Sequence, residues 1–215
     1  MKSLNALQEL IFPVRCLGCS ALGLDICSSC RRSWHPHIYR KISSGRPYFP
    51  IYSAVQYSPI AAKVILAAKE DGILRAEKLM ADALFHALSY CLQEQGNGFL
   101  VPIPSRANVS RTRGRQFIYE LASQISNKSG IPTIENLHHV RTVKDQSSLD
   151  SRGRFTNLQG AMASMKKLNG RAILIDDLIT TGATLNEAAR ALCANGIEVA
   201  AAVTACVANP LRLGG

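Results

Sequence analysis

Residues 173–185, ILIDDLITTGATL, set two adjacent carboxylates, Asp176 and Asp177, against a turn of threonine and glycine. The branched apolar residues before them read as the end of a buried strand. The stretch after them, TLNEAARALCANG, has a helical pattern and an Asn-Gly stop. Thr180, Thr181, Gly182, Ala183 and Thr184 therefore fall at a helix amino terminus, where free N–H groups and the helix dipole attract phosphate. Gly182 lets the backbone approach an anion closely, and the threonine hydroxyls add donors. An anion cradle beside two carboxylates suits a ligand that carries both a phosphate and hydroxyl groups, such as a ribose phosphate. The Walker spacing is absent. A helix cap needs only one carboxylate, and two side by side repel each other. The ligand reading is the stronger one.

Two further groups of residues could do chemistry. Cys16, Cys19, Cys27 and Cys30 form two C-x-x-C pairs separated by seven residues. Four thiolates fill a tetrahedral Zn2+ site and leave no open position, so the metal would be structural. A redox pair and an iron–sulfur cluster are the alternatives. Around the pairs stand Arg31, Arg32, Trp34, Arg40 and Lys41. Basic groups interleaved with an aromatic can grip single-stranded nucleic acid by phosphate contact and stacking. Trp34 serves equally well as the small core such a finger needs. The second group is the loop after VPIPSR, where Pro104, Ser105 and Arg106 lead into Arg111, Arg113 and Arg115. Guanidinium groups there suit paired phosphate oxygens, as in a pyrophosphate. The remaining Cys91, Cys193 and Cys206 lie in apolar patterns and read as inert core thiols.

The elements that must position these residues alternate strand and helix. IYSAVQY, FLVPIP, RAILIDD and VAAAVTACVA read as strands. SPIAAKVILAAKEDG, LRAEKLMADALFHALSYCLQ, RQFIYELASQISNKSG and TLNEAARALCANG read as helices. That order points to an α/β fold around a largely parallel sheet flanked by helices, with a small zinc finger ahead of it. The turn-rich SSGRPYFP places a boundary between a four-cysteine zinc-finger region, 1–45, and a second unit, 46–215. In open α/β sheets ligands bind at the carboxyl ends of strands, where Asp176 and Asp177 stand.

The 215 residues carry 25 Lys+Arg against 15 Asp+Glu. Residues 1–50 hold seven basic and two acidic groups, and 101–170 hold eleven and four, so the excess sits in two regions. A polyanionic ligand fits, either nucleic acid or a phosphorylated metabolite. No secretory signal or membrane span is legible, and the reading is cytoplasmic.

DDLITTGAT resembles the ribose-5-phosphate signature of type I phosphoribosyltransferases, which bind phosphoribosyl pyrophosphate (PRPP). The order of the cysteines, YSPIAAKVILAAKEDG, VPIPSRANVSRTRG, KDQSSLDSRGRFTNLQGAM and the carboxylate turn resembles the ComF family of competence-associated proteins, which includes GntX-like members. The resemblance implies that Asp176 and Asp177 hold the ribose hydroxyls and act in catalysis. It implies that 180–184 hold the 5-phosphate and that Pro104, Ser105, Arg106 and Arg113 belong to a pyrophosphate loop. It also implies that Gln146, Arg154 and Asn157 belong to a hood over the ligand. PRPP with Mg2+ is the implied ligand, and transfer of phosphoribose to an unknown acceptor the implied activity. DNA uptake is the implied setting, with single-stranded DNA and uptake proteins as partners. The alternative is a non-catalytic DNA-processing factor that uses the PRPP site for sensing or scaffolding. Two departures stand out. The family's RGFNQ is RGRQF here, with Arg115, Gln116 and Phe117 off the pattern. Thr180 and Ala183 resemble in position the Asp and Lys of 6-oxopurine enzymes, so no acceptor base is visible.

Overall fold

The computed structural model describes residues 14–105, 115–141 and 158–208. Its centre is a five-stranded sheet in the order β1-β2-β7-β6-β3: β1 is Tyr39–Ile42, β2 Pro50–Gln56, β3 Phe99–Pro102, β6 Arg171–Ile179 and β7 Glu198–Val207. The pairs β2–β7, β7–β6 and β6–β3 are parallel, and only the edge pair β1–β2 is antiparallel. The sheet is therefore mixed and mostly parallel. A second, two-stranded antiparallel sheet joins β4, Leu137–His139, to β5, Met162–Ser164. Helix α1 is the single turn Ser28–Arg31. Helices α2 (Pro59–Lys69), α3 (Leu74–Gln95), α4 (Phe117–Ser129) and α5 (Ala183–Ala194) fill the connections.

The two faces of the sheet are apolar for different partners. Ile173 and Ile175 of β6 join a core with α2, α3 and α4, while the alternate Ala172 and Leu174 join α5 and β4–β5 on the other face. Strand β7 is buried along nine of its ten residues, as expected for a strand covered on both faces. Its alanines let helices approach closely. Helix α2 begins where Ser58 accepts a hydrogen bond from the Ala61 N–H (3.1 Å) with Pro59 in the first turn.

The expected helices and strands are present, with two additions. β1 and the β4–β5 pair carry no strong alternation in sequence, and their pairing comes from the tertiary fold. Gly98 is fixed by contact: a Cβ there would lie 2.3 Å from the Arg171 carbonyl oxygen. Gly98→Ala is expected to lower stability by about 1–3 kcal/mol through forced separation of β3 and β6. Thermal melts would measure this, and an unchanged Tm would show that the strands part freely.

Candidate functional site

Strand β6 carries the carboxylates to the carboxyl end of the sheet. It runs two residues beyond Asp177, because β7 stays paired with it as far as Val207. Helix α5 then begins directly after Gly182, whose φ of +80° is a conformation that favours glycine. Its carbonyl accepts from the Asn186 N–H at 2.9 Å, and the Ala183 N–H reaches Thr181 Oγ1 at 3.4 Å. Asp176, Asp177, Thr180 and Thr184 all line one cleft of about 490 Å3. Thr181, Gly182 and Ala183 complete the turn beside it, with Gly182 and Ala183 buried.

The electrostatics of the pair are uneven. Asp177 is buried and forms an ion pair with Lys69, the last residue of α2. Asp176 is partly exposed and accepts a hydrogen bond from the Asp177 N–H at 2.9 Å. Desolvation first, and then the Asp177 charge, push the Asp176 carboxyl up from 3.8 to about 8, with Lys69 pulling the other way. Two carboxyl groups held together in this way give a site poised to take a cation or hydroxyl donors.

Lys69 is a site residue that sequence reasoning missed. It reads there as an ordinary cation in the last turn of a helix, and only the fold closes the 108-residue separation from Asp177. His139 carries no legible chemistry in the sequence, yet it lines the cleft and its Nε2 lies 3.1 Å from the Pro104 carbonyl. A carbonyl only accepts, so Nε2 carries the proton of that bond.

Pro104 lines the main cleft, and Ser105 lines an adjoining pocket of about 240 Å3 that shares Pro104 and His139 with it. Arg106, Arg111, Arg113, Gln146, Arg154 and Asn157 lie outside the described residues. Arg115 is a correction to the basic loop. Its guanidinium bonds to Glu77 (2.5 Å), Glu120 (3.1 Å) and the Ala68 carbonyl, and stands 5.3 Å from the Phe117 ring. Phe117 is itself buried, so Arg115 and Phe117 are both engaged in packing and ion pairs. Arg115→Ala leaves Glu77, 6% exposed, without that partner, and is expected to cost about 3–5 kcal/mol. Urea unfolding checks this. A loss below about 1 kcal/mol would show that Glu77 finds water.

The four cysteines come together as a cluster. Cys16, Cys19, Cys27 and Cys30 place their sulfurs within 4.8 Å of one another, with Cys19 and Cys27 at 3.6 Å. A tetrahedral ion with bonds of about 2.3 Å needs sulfurs roughly 3.8 Å apart, so the set fits a metal such as zinc. The Cys27 N–H donates to Cys16 Sγ at 3.3 Å, which favours a thiolate. Gly18 sits tightly against Cys30 and Ile60, and Lys63 of α2 donates to the Gly18 carbonyl at 2.7 Å. The cluster thus docks on α2.

Trp34 is 2% exposed and belongs to the core under the cluster. Its ring has no open face for a base, so packing is the role the structure gives it. Arg31 and Arg32 are exposed. Arg40 pairs with Glu94 at 3.4 Å, and Lys41 donates to the Ala208 carbonyl at 3.3 Å. Of the other cysteines, Cys91 and Cys206 are buried as expected. Cys193 is exposed, on the outer face of α5.

No family model matches the chain. Over 104 residues it is 32% identical to Competence protein F of Haemophilus influenzae, a stretch covering 46% of this chain and 45% of that protein. The chain thus aligns with about half the length of the curated relative. Among solved structures, adenine phosphoribosyltransferase from Leishmania tarentolae aligns with 66% of this chain and 74% of its own, at 12% identity and a TM-score of 0.39. A structure described as the allosteric regulatory enzyme of purine biosynthesis aligns with 57% of this chain and 25% of its own, at 18% identity and a TM-score of 0.36. Among the described residues no helix is long and apolar enough to cross a membrane. The chain, with its amino-terminal four-cysteine cluster and mostly parallel sheet, is a distant homologue of Competence protein F with phosphoribosyltransferases among its structural neighbours.

Proposed function

We propose that the chain binds PRPP at the carboxyl end of β6 and transfers phosphoribose to an acceptor. The observation that carries this is the single cleft lined by Asp176 and Asp177 at the end of β6 together with Thr180 and Thr184 at the start of α5. Asp176 and Asp177 hold the ribose hydroxyls, and residues 180–184 hold the 5-phosphate. Pro104, Ser105, Arg106 and Arg113 meet the pyrophosphate, and Gln146, Arg154 and Asn157 cover the ligand. Mg2+, when bound with PRPP, supplies charge neutralisation of the leaving pyrophosphate. The four-cysteine region, 1–45, holds a structural Zn2+ and buttresses the unit formed by 46–215.

Pyrophosphate release from Mg2+-PRPP, assayed with small molecules extracted from cells as acceptors, tests the reading. Release above the rate without acceptor supports it. Binding of PRPP without release under any fraction would leave a sensor in place of an enzyme.

A second reading, a single-stranded DNA-binding factor in DNA uptake, is favoured by the exposure of Arg31 and Arg32 beside the cysteines in a chain of net charge +10. It expects salt-sensitive binding that Arg31→Ala/Arg32→Ala weakens about tenfold, with a shallower salt slope. Unaltered binding in that variant would remove these residues from any such role.

A further inference from the structure

Helix α5 borders a second concavity besides the carboxylate cleft. A pocket of about 200 Å3 is lined by Arg46, Gln159, Ala183, Asn186, Glu187 and Arg190, and none of these lines the cleft. Ala183, Asn186, Glu187 and Arg190 recur at helical spacing, so one face of α5 forms the floor. Glu187 and Arg190 are already committed. Glu187 accepts from the Met162 N–H at 2.9 Å, and Arg190 donates to the Met162 carbonyl at 2.8 Å and to Glu187 at 2.7 Å. Arg46 is not committed. It is exposed, and it makes no hydrogen bond or ion pair with any described residue. Its loop between β1 and β2 is nonetheless held, because buried Ser43 accepts from the Phe49 N–H at 3.0 Å and donates to the Pro47 carbonyl at 3.1 Å. Asn186 is 4% exposed, and its Oδ1 has no donor among the described residues. The Ser44 hydroxyl gives its proton to the Thr181 carbonyl (3.4 Å), so it must accept from Asn186 Nδ2, at 2.8 Å, and this fixes the orientation of the amide. A buried amide oxygen without a donor is destabilising, and a ligand that supplies one removes that cost.

We propose that this pocket is an effector site for a small 2-hydroxycarboxylate, held by Arg46 through its carboxylate and by Asn186 through its hydroxyl. Arg46 and Arg190 against Glu187 leave one positive charge in the lining, which matches a monoanion. A guanidinium takes a carboxylate through two parallel hydrogen bonds, and Arg46 has its donors to spare. The hydroxyl supplies the donor that Asn186 Oδ1 lacks. The volume is below the roughly 300–1,000 Å3 of drug-sized sites, so the ligand is small. The site itself stands apart from the PRPP reading, and only its effect on the cleft rests on that reading. Ser44 links Asn186 to Thr181, so a ligand joining Arg46 to Asn186 ties the β1–β2 loop to the turn assigned to the 5-phosphate. Ordering that turn raises PRPP affinity, and by linkage PRPP raises affinity for the hydroxy acid by the same factor.

The test is calorimetric titration of the full chain with glycolate and lactate. Acetate, which lacks the hydroxyl, and inorganic phosphate are the comparators. Glycolate or lactate is expected to bind saturably, at least tenfold tighter than either comparator. Arg46→Gln, at an exposed position without a partner, is expected to weaken that binding tenfold or more. Asn186→Asp is expected to do the same by setting a negative charge beside the ligand, whereas Asp176→Asn/Asp177→Asn leaves it within twofold. Absence of saturable hydroxy-acid binding would overturn the site, as would equal binding of acetate, preference for phosphate or indifference to Arg46→Gln. With the hydroxy acid saturating, PRPP affinity is expected to rise threefold or more, and Arg46→Gln to abolish the rise. An unchanged PRPP affinity would overturn the coupling alone. Failure of PRPP to bind the wild type overturns the parent reading, while the site is still decided by the hydroxy-acid titration.

Discussion

Titrating Mg2+-PRPP into the wild type is expected to give saturable binding, and Asp176→Asn/Asp177→Asn to lose it by roughly 150- to 20,000-fold. Hydrogen bonds to charged groups are worth about 1.5–3 kcal/mol each, so two lost carboxylates remove about 3–6 kcal/mol of affinity. The pH dependence sharpens the test. Asp176 sits near 8 in the free protein because burial and Asp177 disfavour its charge. A ligand that takes the ionised form must displace a proton below that pH, and affinity then falls by up to about tenfold per unit as the pH drops. Asp176→Asn removes that slope.

Folding runs the opposite way. A carboxyl whose folded pKa lies above its unfolded value holds its proton more tightly when folded. Its contribution is present at low pH and is lost as the pH rises from about 4 to about 8. Asp176→Asn is therefore expected to bind poorly yet melt at or above the wild-type temperature at pH 8.5. Asp177→Asn instead leaves Lys69 facing a neutral amide and gains no such stability. Calorimetry and melts across pH 5–9 measure both effects. Intact PRPP binding by the double variant would show that the turn does not hold ribose.

Stripping metal from the cysteine cluster is expected to produce the largest loss of stability. Structural zinc in small fingers is held with about 10–16 kcal/mol, and part of that energy is spent ordering the chain around it. Here the cluster shares a core with Ala61, Val64 and Ala68 of α2, and Lys63 ties the helix to Gly18. Chelation, or Cys16→Ser/Cys30→Ser, is expected to release one zinc per chain and lower Tm by about 10 °C or more, at roughly 2–4 °C per kcal/mol. Because the same helix presents Lys69 to Asp177, PRPP affinity should fall as well. Metal analysis, melts and the PRPP titration check the three effects. An unchanged Tm after complete metal removal would reduce the cluster to an ornament of the core.

Much of this is legible in the residues themselves. Strand β6 announces its burial by a run of branched side chains, and α2 announces its start with Ser58-Pro59. The C-x-x-C spacing prescribes four convergent sulfurs, and adjacent aspartates before a threonine-glycine turn mark the strand end and helix start where the cleft lies. These are local signals, carried by residues a few positions apart, where chain geometry leaves few alternatives.

What the tertiary structure alone decided is every relation across the sheet. Nothing in KVILAAKEDG marks Lys69 as the partner of an aspartate 108 residues away, and nothing near Trp34 says whether its ring faces solvent or core. In sequence Arg115 is one more cation in a basic loop, and in the fold Glu77 and Phe117 close around it. The physical reason is common to all three. A side chain's charge and size are written in the sequence, but its partner is chosen by which helix the sheet order lays beside it. Asp176 and Asp177 are visible as a pair in the sequence, while the strand order puts α2 on one side of them and a proline turn on the other.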